Sequence, residues 1–196
     1  MPLKRIAIFA SGSGSNAQRI MEHFKRHKEM EVAIVLSNRA DSYVLQRADN
    51  FEIPTHVFSK EELYDSATIL QLLKNLDIDI IVLAGFMRVL SNSFLSQFPN
   101  QVINIHPALP EELPGTRAIE RAFVEFTQGS RHSTGVMVHF VPDEGVDNGP
   151  VIAQQTVPIH AADTLVTLEA RMHATEHALV IDALQQLITQ QKAPAS

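Results

Sequence analysis

Ile6-Ala7-Ile8-Phe9-Ala10-Ser11-Gly12-Ser13-Gly14-Ser15-Asn16-Ala17 decides the reading of the chain. Its first five residues are apolar on both parities, as in a strand covered on both faces, and the Ser-Gly run that follows stops it. Ile20, Met21 and Phe24 then recur at helical spacing within Asn16 to His27, and Val32 to Leu36 repeats the buried-strand pattern up to Ser37-Asn38. The unit is β-α-β.

Working outward, the periodicity predicts a helix over Tyr43 to Asn50, a strand over Thr55 to Phe58 and a longer amphipathic helix over Lys60 to Leu76. Ile78 to Ala84 is the strongest central strand. A short helix from Ser91 to Gln97 leads to the strand Val102 to His106, which Pro107 stops, and the segment to Gly115 holds three prolines and reads as loop. A helix over Thr116 to Gln128 precedes two strands, Ser133 to Val141 and Val151 to Val157, paired across the loop 142–150. A long helix, Thr164 to about Gln191, closes the chain, and the last residues are expected to fray. The expected class is α/β: a doubly wound, mostly parallel sheet with helices on both faces, an antiparallel strand near the C-terminal part, and residues 1–196 as a single domain. Ligands of such sheets sit beyond the carboxyl ends of the strands.

Composition narrows the function. The chain has 196 residues, 45% of them hydrophobic and 19% charged, which is ordinary for a globular protein. It holds no cysteine, which removes disulfides, thiolate metal sites and a cysteine nucleophile together and suits a reducing, cytoplasmic setting. Sixteen Lys and Arg against 22 Asp and Glu give a net charge of -6, so nothing invites a nucleic acid. The first apolar run is too short for a signal peptide or a membrane span.

Four constellations could carry chemistry. Ser11 to Ala17 joins a strand to a helix, where backbone N–H groups and the helix dipole favour an anion such as phosphate. Gly12, Gly14 and Ala17 also satisfy a dinucleotide spacing, but Ser37-Asn38-Arg39 offers no acid for a ribose; a plain turn capped by Ser15 or Asn16 is the bland alternative. In Asn104-Ile105-His106-Pro107 an amide and an imidazole two apart at a strand end face the same way, as an oxyanion requires, where the alternative is a structural histidine. His173-Ala174-Thr175-Glu176-His177 matches an inverted zinc-peptidase signature, yet only Asp182 follows as a further carboxylate, so no metal is expected. Asp143 to Pro150 packs three carboxylates into a glycine-containing loop; one of them, Asp147 or Asp143, folded back near His106 would raise the histidine's pKa and keep it protonated.

Gly12 to Asn16, Ala84-Gly85-Phe86-Met87-Arg88, Asn104-Ile105-His106-Pro107, His139-Phe140-Val141 and Asp143 to Pro150 together resemble the phosphoribosylglycinamide formyltransferase family, folate-dependent enzymes of purine biosynthesis. The resemblance covers essentially the whole chain. It implies the formyltransferase fold and transfer of a formyl group from 10-formyltetrahydrofolate, the co-substrate, to the amine of 5-phosphoribosylglycinamide by direct attack. It further implies Asn104, His106 and Asp147 as the catalytic trio, with a protonated His106 that Asp147 keeps charged. Gly14, Ser15 and Asn16 would grip the ribose phosphate, and Glu176 with His173 would meet the amine or ribose. Met87, Arg88, Val89, Leu90 and Asn104, with Asp143, Glu144, Gly145, Val146 and Asp147, would hold the folate. No metal, nucleic acid or membrane is implied, and the oligomeric state stays open.

The chain departs from the family pattern in two places. Pro107-Ala108-Leu109-Pro110-Glu111-Glu112-Leu113-Pro114-Gly115 stands where members often read Pro-Ser-Leu-Leu-Pro after the histidine, and Glu61 stands where some carry a folate-contacting Arg, with Lys60 beside it. The rival readings are a formyltetrahydrofolate deformylase-like hydrolase and, from another class, a non-catalytic phosphate-binding α/β module.

Overall fold

The computed structural model describes residues 3–65 and 67–190. The expected end of the last helix at Gln191 and the fraying beyond it lie outside the described residues. Strands β1 (Lys4–Phe9), β2 (Met30–Ser37), β3 (Thr55–Val57), β4 (Ile80–Leu83), β5 (Val102–His106), β6 (Ser133–Phe140) and β7 (Val151–Pro158) form a seven-stranded sheet in the order β3-β2-β1-β4-β5-β6-β7. The pairs β1/β2, β1/β4, β2/β3 and β4/β5 are parallel, whereas β6/β7 is antiparallel, so the expected mixed sheet is present. By contacts the chain divides into two compact units, Met1–Asn104 with Pro142–Glu144, and Ile105–Val141 with Gly145–Ser196.

The first unit is built on β1, whose Ile6, Ala7, Ile8 and Phe9 are wholly buried. That burial explains why the strand is apolar on both parities. Strand order runs outward from β1 to β3 in one direction and restarts at β4 in the other, so a crevice opens beyond the carboxyl ends of β1 and β4. Right-handed crossovers on either side of such a reversal carry helices to opposite faces. The Phe9 ring meets Phe58, Phe86 and Phe94 edge-on at 5.7, 5.3 and 6.4 Å, which ties the strand to the segments around it.

Helix α1 (Ser15–Phe24) follows the glycine loop and α2 (Tyr43–Asn50) follows β2. The single helix expected over Lys60 to Leu76 is instead two, α3 (Lys60–Tyr64) and α4 (Thr68–Asn75). Ser59 and Glu62 close a reciprocal capping box that starts α3, and Asp65 ends it as C-cap, a position an aspartate prefers to a helix interior. Leu63, Ile69 and Leu73 are nonetheless buried, so the apolar spacing reported the covered face correctly and the break not at all.

Gly14 stands at φ 71°, in the left-handed region, as the N-cap of α1. A Cβ there would run into the Val44 side chain of α2. Gly14→Ala should therefore lower unfolding stability by about 2–5 kcal/mol, combining the left-handed penalty with overpacking. Urea unfolding checks this, and a loss below about 1 kcal/mol would mean that the loop simply relaxes away from α2.

In the second unit α7 (Leu165–Gln190) packs on β6 and β7 and against α6 (Ala118–Thr127). Leu168, Met172, Val180 and Leu184 of α7 are fully buried. Asp163 anchors the start of that helix: it accepts two bonds from Arg171 at 2.8 and 2.6 Å and one from the His160 N–H at 2.7 Å. These donors hold its carboxyl well below the usual carboxylate range, the Arg171 hydrogen bonds first. Among the described residues no helix is long and apolar enough to cross a membrane.

Candidate active site

At the carboxyl end of β1, Ser11 ties three segments of the first unit together. Its N–H donates to the Gly85 carbonyl at 3.1 Å, its Oγ accepts from the Met87 N–H at 2.9 Å, and its hydroxyl meets Asn38 Oδ1 at 2.7 Å. The loop beyond is pinned by α2, through Arg47 Nε on the Ser13 carbonyl at 2.7 Å and the Val44 N–H on the Gly12 carbonyl at 3.2 Å. No side chain caps α1, so the bland reading of a turn capped by Ser15 or Asn16 is corrected. The reason is Gly14, which takes the N-cap position itself. A rigid loop with backbone N–H groups at an uncapped helix start suits an anion.

In the second unit a polar chain runs through the interior. His139, on β6, sets Nδ1 against the Phe140 carbonyl at 2.8 Å and presents Nε2 to Asp147 Oδ1 at 3.6 Å. Asp147 Oδ2 accepts from the Gly115 N–H at 2.8 Å and faces His106 Nδ1 at 3.2 Å. His106 Nε2 lies 3.1 Å from the Leu113 carbonyl, and Arg121 Nη2, from α6, donates to the Leu113 and Pro114 carbonyls at 2.7 Å each. Both histidines and the Asp147 side chain are at most 8% exposed, so each polar contact counts for more than it would in water.

Burial pushes His106 below its ordinary value; Asp147 and the Leu113 carbonyl pull it up without overcoming that effect. Asp147 thus acts on the ring in the expected direction, but the desolvation it works against is the larger effect. Burial opposes ionisation of Asp147 as well, but His139, the Gly115 N–H and the His106 charge outweigh it and hold the carboxyl below its usual range.

Both shifts point the same way for stability. Just below each ordinary pKa the unfolded chain binds more protons than the folded one, so stability should be level above about pH 7 and decline as acid is carried through 6.5, and again below 3.8. Thermal midpoints across pH test this. A midpoint that climbs on acidification through 6.5 would show that His106 is raised instead.

Residues 4–184 match the family model for formyl transferases. The chain belongs to the formyl transferase family. It is 34% identical to the phosphoribosylglycinamide formyltransferase of Bacillus subtilis over 95% of both chains. It is 38% identical to the enzyme of that name from Escherichia coli, over 89% of this chain and 82% of the relative. Among solved structures, glycinamide ribonucleotide transformylase 1 from Geobacillus kaustophilus superposes with a TM-score of 0.86 at 40% identity, covering 95% of this chain and all of that one.

Within this formyl transferase the anticipated residues have varied surroundings. Asn104 and His106 lie two apart on β5, on either side of buried Ile105. Met87, Arg88 and Val89 are exposed, Met87 at 65%. Leu90 is buried and can meet a ligand only through its backbone. Glu144 is engaged at the start of α5 (Asn92–Leu95), accepting the Asn92 N–H at 2.7 Å while its own N–H donates to Asn92 Oδ1 at 3.1 Å. Asp143, Gly145 and Val146 are exposed, and Asp147 alone of the loop turns inward, at φ 55°. On α7 Glu176 is buried whereas His173 is exposed. Among the described residues no three His, Asp or Glu side chains gather as metal ligands. Near Glu61, Tyr64 donates its hydroxyl to the Val89 carbonyl at 2.6 Å and braces the 87–90 segment.

Sequence reasoning missed His139 as a site residue, and Gly115, Leu113 and Arg121 entirely. His139 carried a signal, since it is the one ionisable residue in the otherwise uncharged β6, eight positions before Asp147. The other three act through main-chain groups or across a turn, which no side-chain pattern encodes.

Proposed function

We propose that Asn104, His106 and Asp147 carry the transfer of a formyl group from 10-formyltetrahydrofolate to the amine of 5-phosphoribosylglycinamide. The chain is an enzyme of purine biosynthesis, a phosphoribosylglycinamide formyltransferase, as its relatives at 34% and 38% identity over most of both chains are named. The observation that carries the site reading is the buried His106–Asp147 pair, Nδ1 to Oδ2 at 3.2 Å.

The free amine attacks the formyl carbon, and the carbonyl π pair moves onto oxygen to give a tetrahedral oxyanion. The Leu113 carbonyl and the ionised Asp147 carboxylate can each only accept, so Nε2 and Nδ1 of His106 both face an acceptor, as suits a ring that is protonated on both nitrogens during the reaction. The Nε2–H, leaving the Leu113 carbonyl for the substrate, donates to the oxyanion together with the Asn104 amide. The proton released by the attacking amine is relayed through water with the help of the His106–Asp147 pair, whose carboxylate stabilises the imidazolium. Collapse of the intermediate expels the folate nitrogen, which takes up the proton, and leaves the formamide. Nothing in this sequence calls for a metal.

Gly14, Ser15 and Asn16 hold the acceptor's phosphate, Glu176 and His173 its amine or ribose side, and Met87 to Leu90 with Asp143 to Asp147 the pterin. Met87 supplies exposed apolar surface for that ring. The setting is the cytoplasm. Turnover of synthetic 5-phosphoribosylglycinamide with 10-formyltetrahydrofolate in the presence of a chelator tests the reading. Product should form, and only when the amine is supplied; release of formate without it would favour the deformylase-like hydrolase, and folate binding without turnover the non-catalytic module.

A further inference from the structure

Two carbonyls of the glycine loop are turned into α2. The Gly12 carbonyl accepts from the Val44 N–H at 3.2 Å and the Ser13 carbonyl from Arg47 Nε at 2.7 Å. In a trans peptide the C=O and the following N–H point opposite ways, so the Ser13 and Gly14 N–H groups face away from α2. No acceptor among the described residues takes either of them.

The charge on Arg47 is also uncancelled. Arg5, Arg19, Arg39, Arg131 and Arg171 each meet a carboxylate within 3.5 Å, whereas the half-buried Arg47 pairs with none among the described residues. Its guanidinium lies over the Tyr43 ring, one turn earlier on α2, 4.8 Å from the centroid, which fixes its place without neutralising it. Pinning the loop to α2 needs only a neutral donor, and the Val44 N–H is one. A cation with no carboxylate partner, seated on the peptide that carries the Gly14 N–H, asks for an anion.

We propose that Arg47 is a positioning residue that makes the site specific for a phosphorylated acceptor. It holds the Ser13–Gly14 peptide with its N–H outward and sets an uncancelled positive charge beside it. A phosphate monoester gains from both, and the same acceptor without its phosphate gains from neither. In a chain of net charge -6 that local cation also offsets the general repulsion of an anionic substrate. The inference rests on the reading of Gly14, Ser15 and Asn16 as the phosphate grip.

Arg47→Met and Arg47→Lys in the full chain test it, with 5-phosphoribosylglycinamide and its dephosphorylated riboside as paired acceptors. In Arg47→Met the KM of the phosphorylated acceptor should rise about 10- to 100-fold, while kcat/KM for the riboside and the KM of the folate stay within about threefold. Inorganic phosphate should weaken as a competitive inhibitor by a similar factor, and the 15N-amide shift that it induces at Gly14 in the unaltered enzyme should shrink. Arg47→Lys, which keeps the charge without the planar fork, should lie between the two and serves if the methionine variant fails to fold. Equal losses with both acceptors, or a lower Tm with the acceptor preference unchanged, would overturn the inference. The loop itself is judged on the unaltered enzyme: comparable rates with both acceptors would reject the phosphate grip, whereas a strong preference that survives Arg47→Met rejects the role of Arg47 alone.

Discussion

Replacing His106 by alanine should lower kcat by about 10²–10⁴-fold while folate affinity changes little. The ring is buried and touches main chain on one side and Asp147 on the other, so its loss removes the Nε2 donor and the proton acceptor together. Steady-state kinetics with a folate-binding titration measure the two effects separately. Equal loss of binding and turnover would mark a structural histidine. Asparagine at the same position keeps a donor without a proton acceptor and should recover part of the rate. Recovery of all of it would leave Asp147 no charge to stabilise and would remove it from the mechanism.

Removing the acceptor's phosphate should be nearly as damaging. If Gly14, Ser15 and Asn16 hold that group at the start of α1, its binding energy is used to orient a distant amine, so the dephosphorylated riboside should lose about 3–5 kcal/mol in kcat/KM. Ser15→Ala with Asn16→Ala should weaken the phosphorylated acceptor and barely touch the other, so the two perturbations would be non-additive. Gly14 contributes backbone, and its φ of 71° with the Val44 wall behind it keeps the loop rigid enough for the argument. Comparable rates for both acceptors, or additive losses, would reduce the loop to a turn.

Much of the fold was legible because burial on both faces writes itself into composition. Ile6 to Phe9 and Val32 to Leu36 are apolar on both parities, and their shortness and the turn residues that bound them mark them as buried strands. The interruption between α3 and α4 was not legible, since Ile69 and Leu73 continue the spacing set by Leu63 and only local backbone competition ends the first helix at Asp65. Within the site, the types and spacing of Asn104 and His106 pointed to oxyanion chemistry. The direction of the His106 shift did not follow, because it depends on how much water the fold removes, a quantity no tetrapeptide carries. His173 and Glu176 were expected to meet the same part of the acceptor, yet on α7 the first is exposed and the second buried.

The contact between Gly14 and Val44 also restricts the order in which these two positions can drift. Val44 can lose volume while the glycine stays, because a smaller neighbour leaves the loop in place. The glycine cannot gain a side chain first, for the space is filled and its backbone is left-handed. Even after Val44 has shrunk, the dihedral still favours a residue such as asparagine over any branched one. The pair therefore behaves as a ratchet on sequence change, with the helix side free to move ahead and the loop side bound to wait.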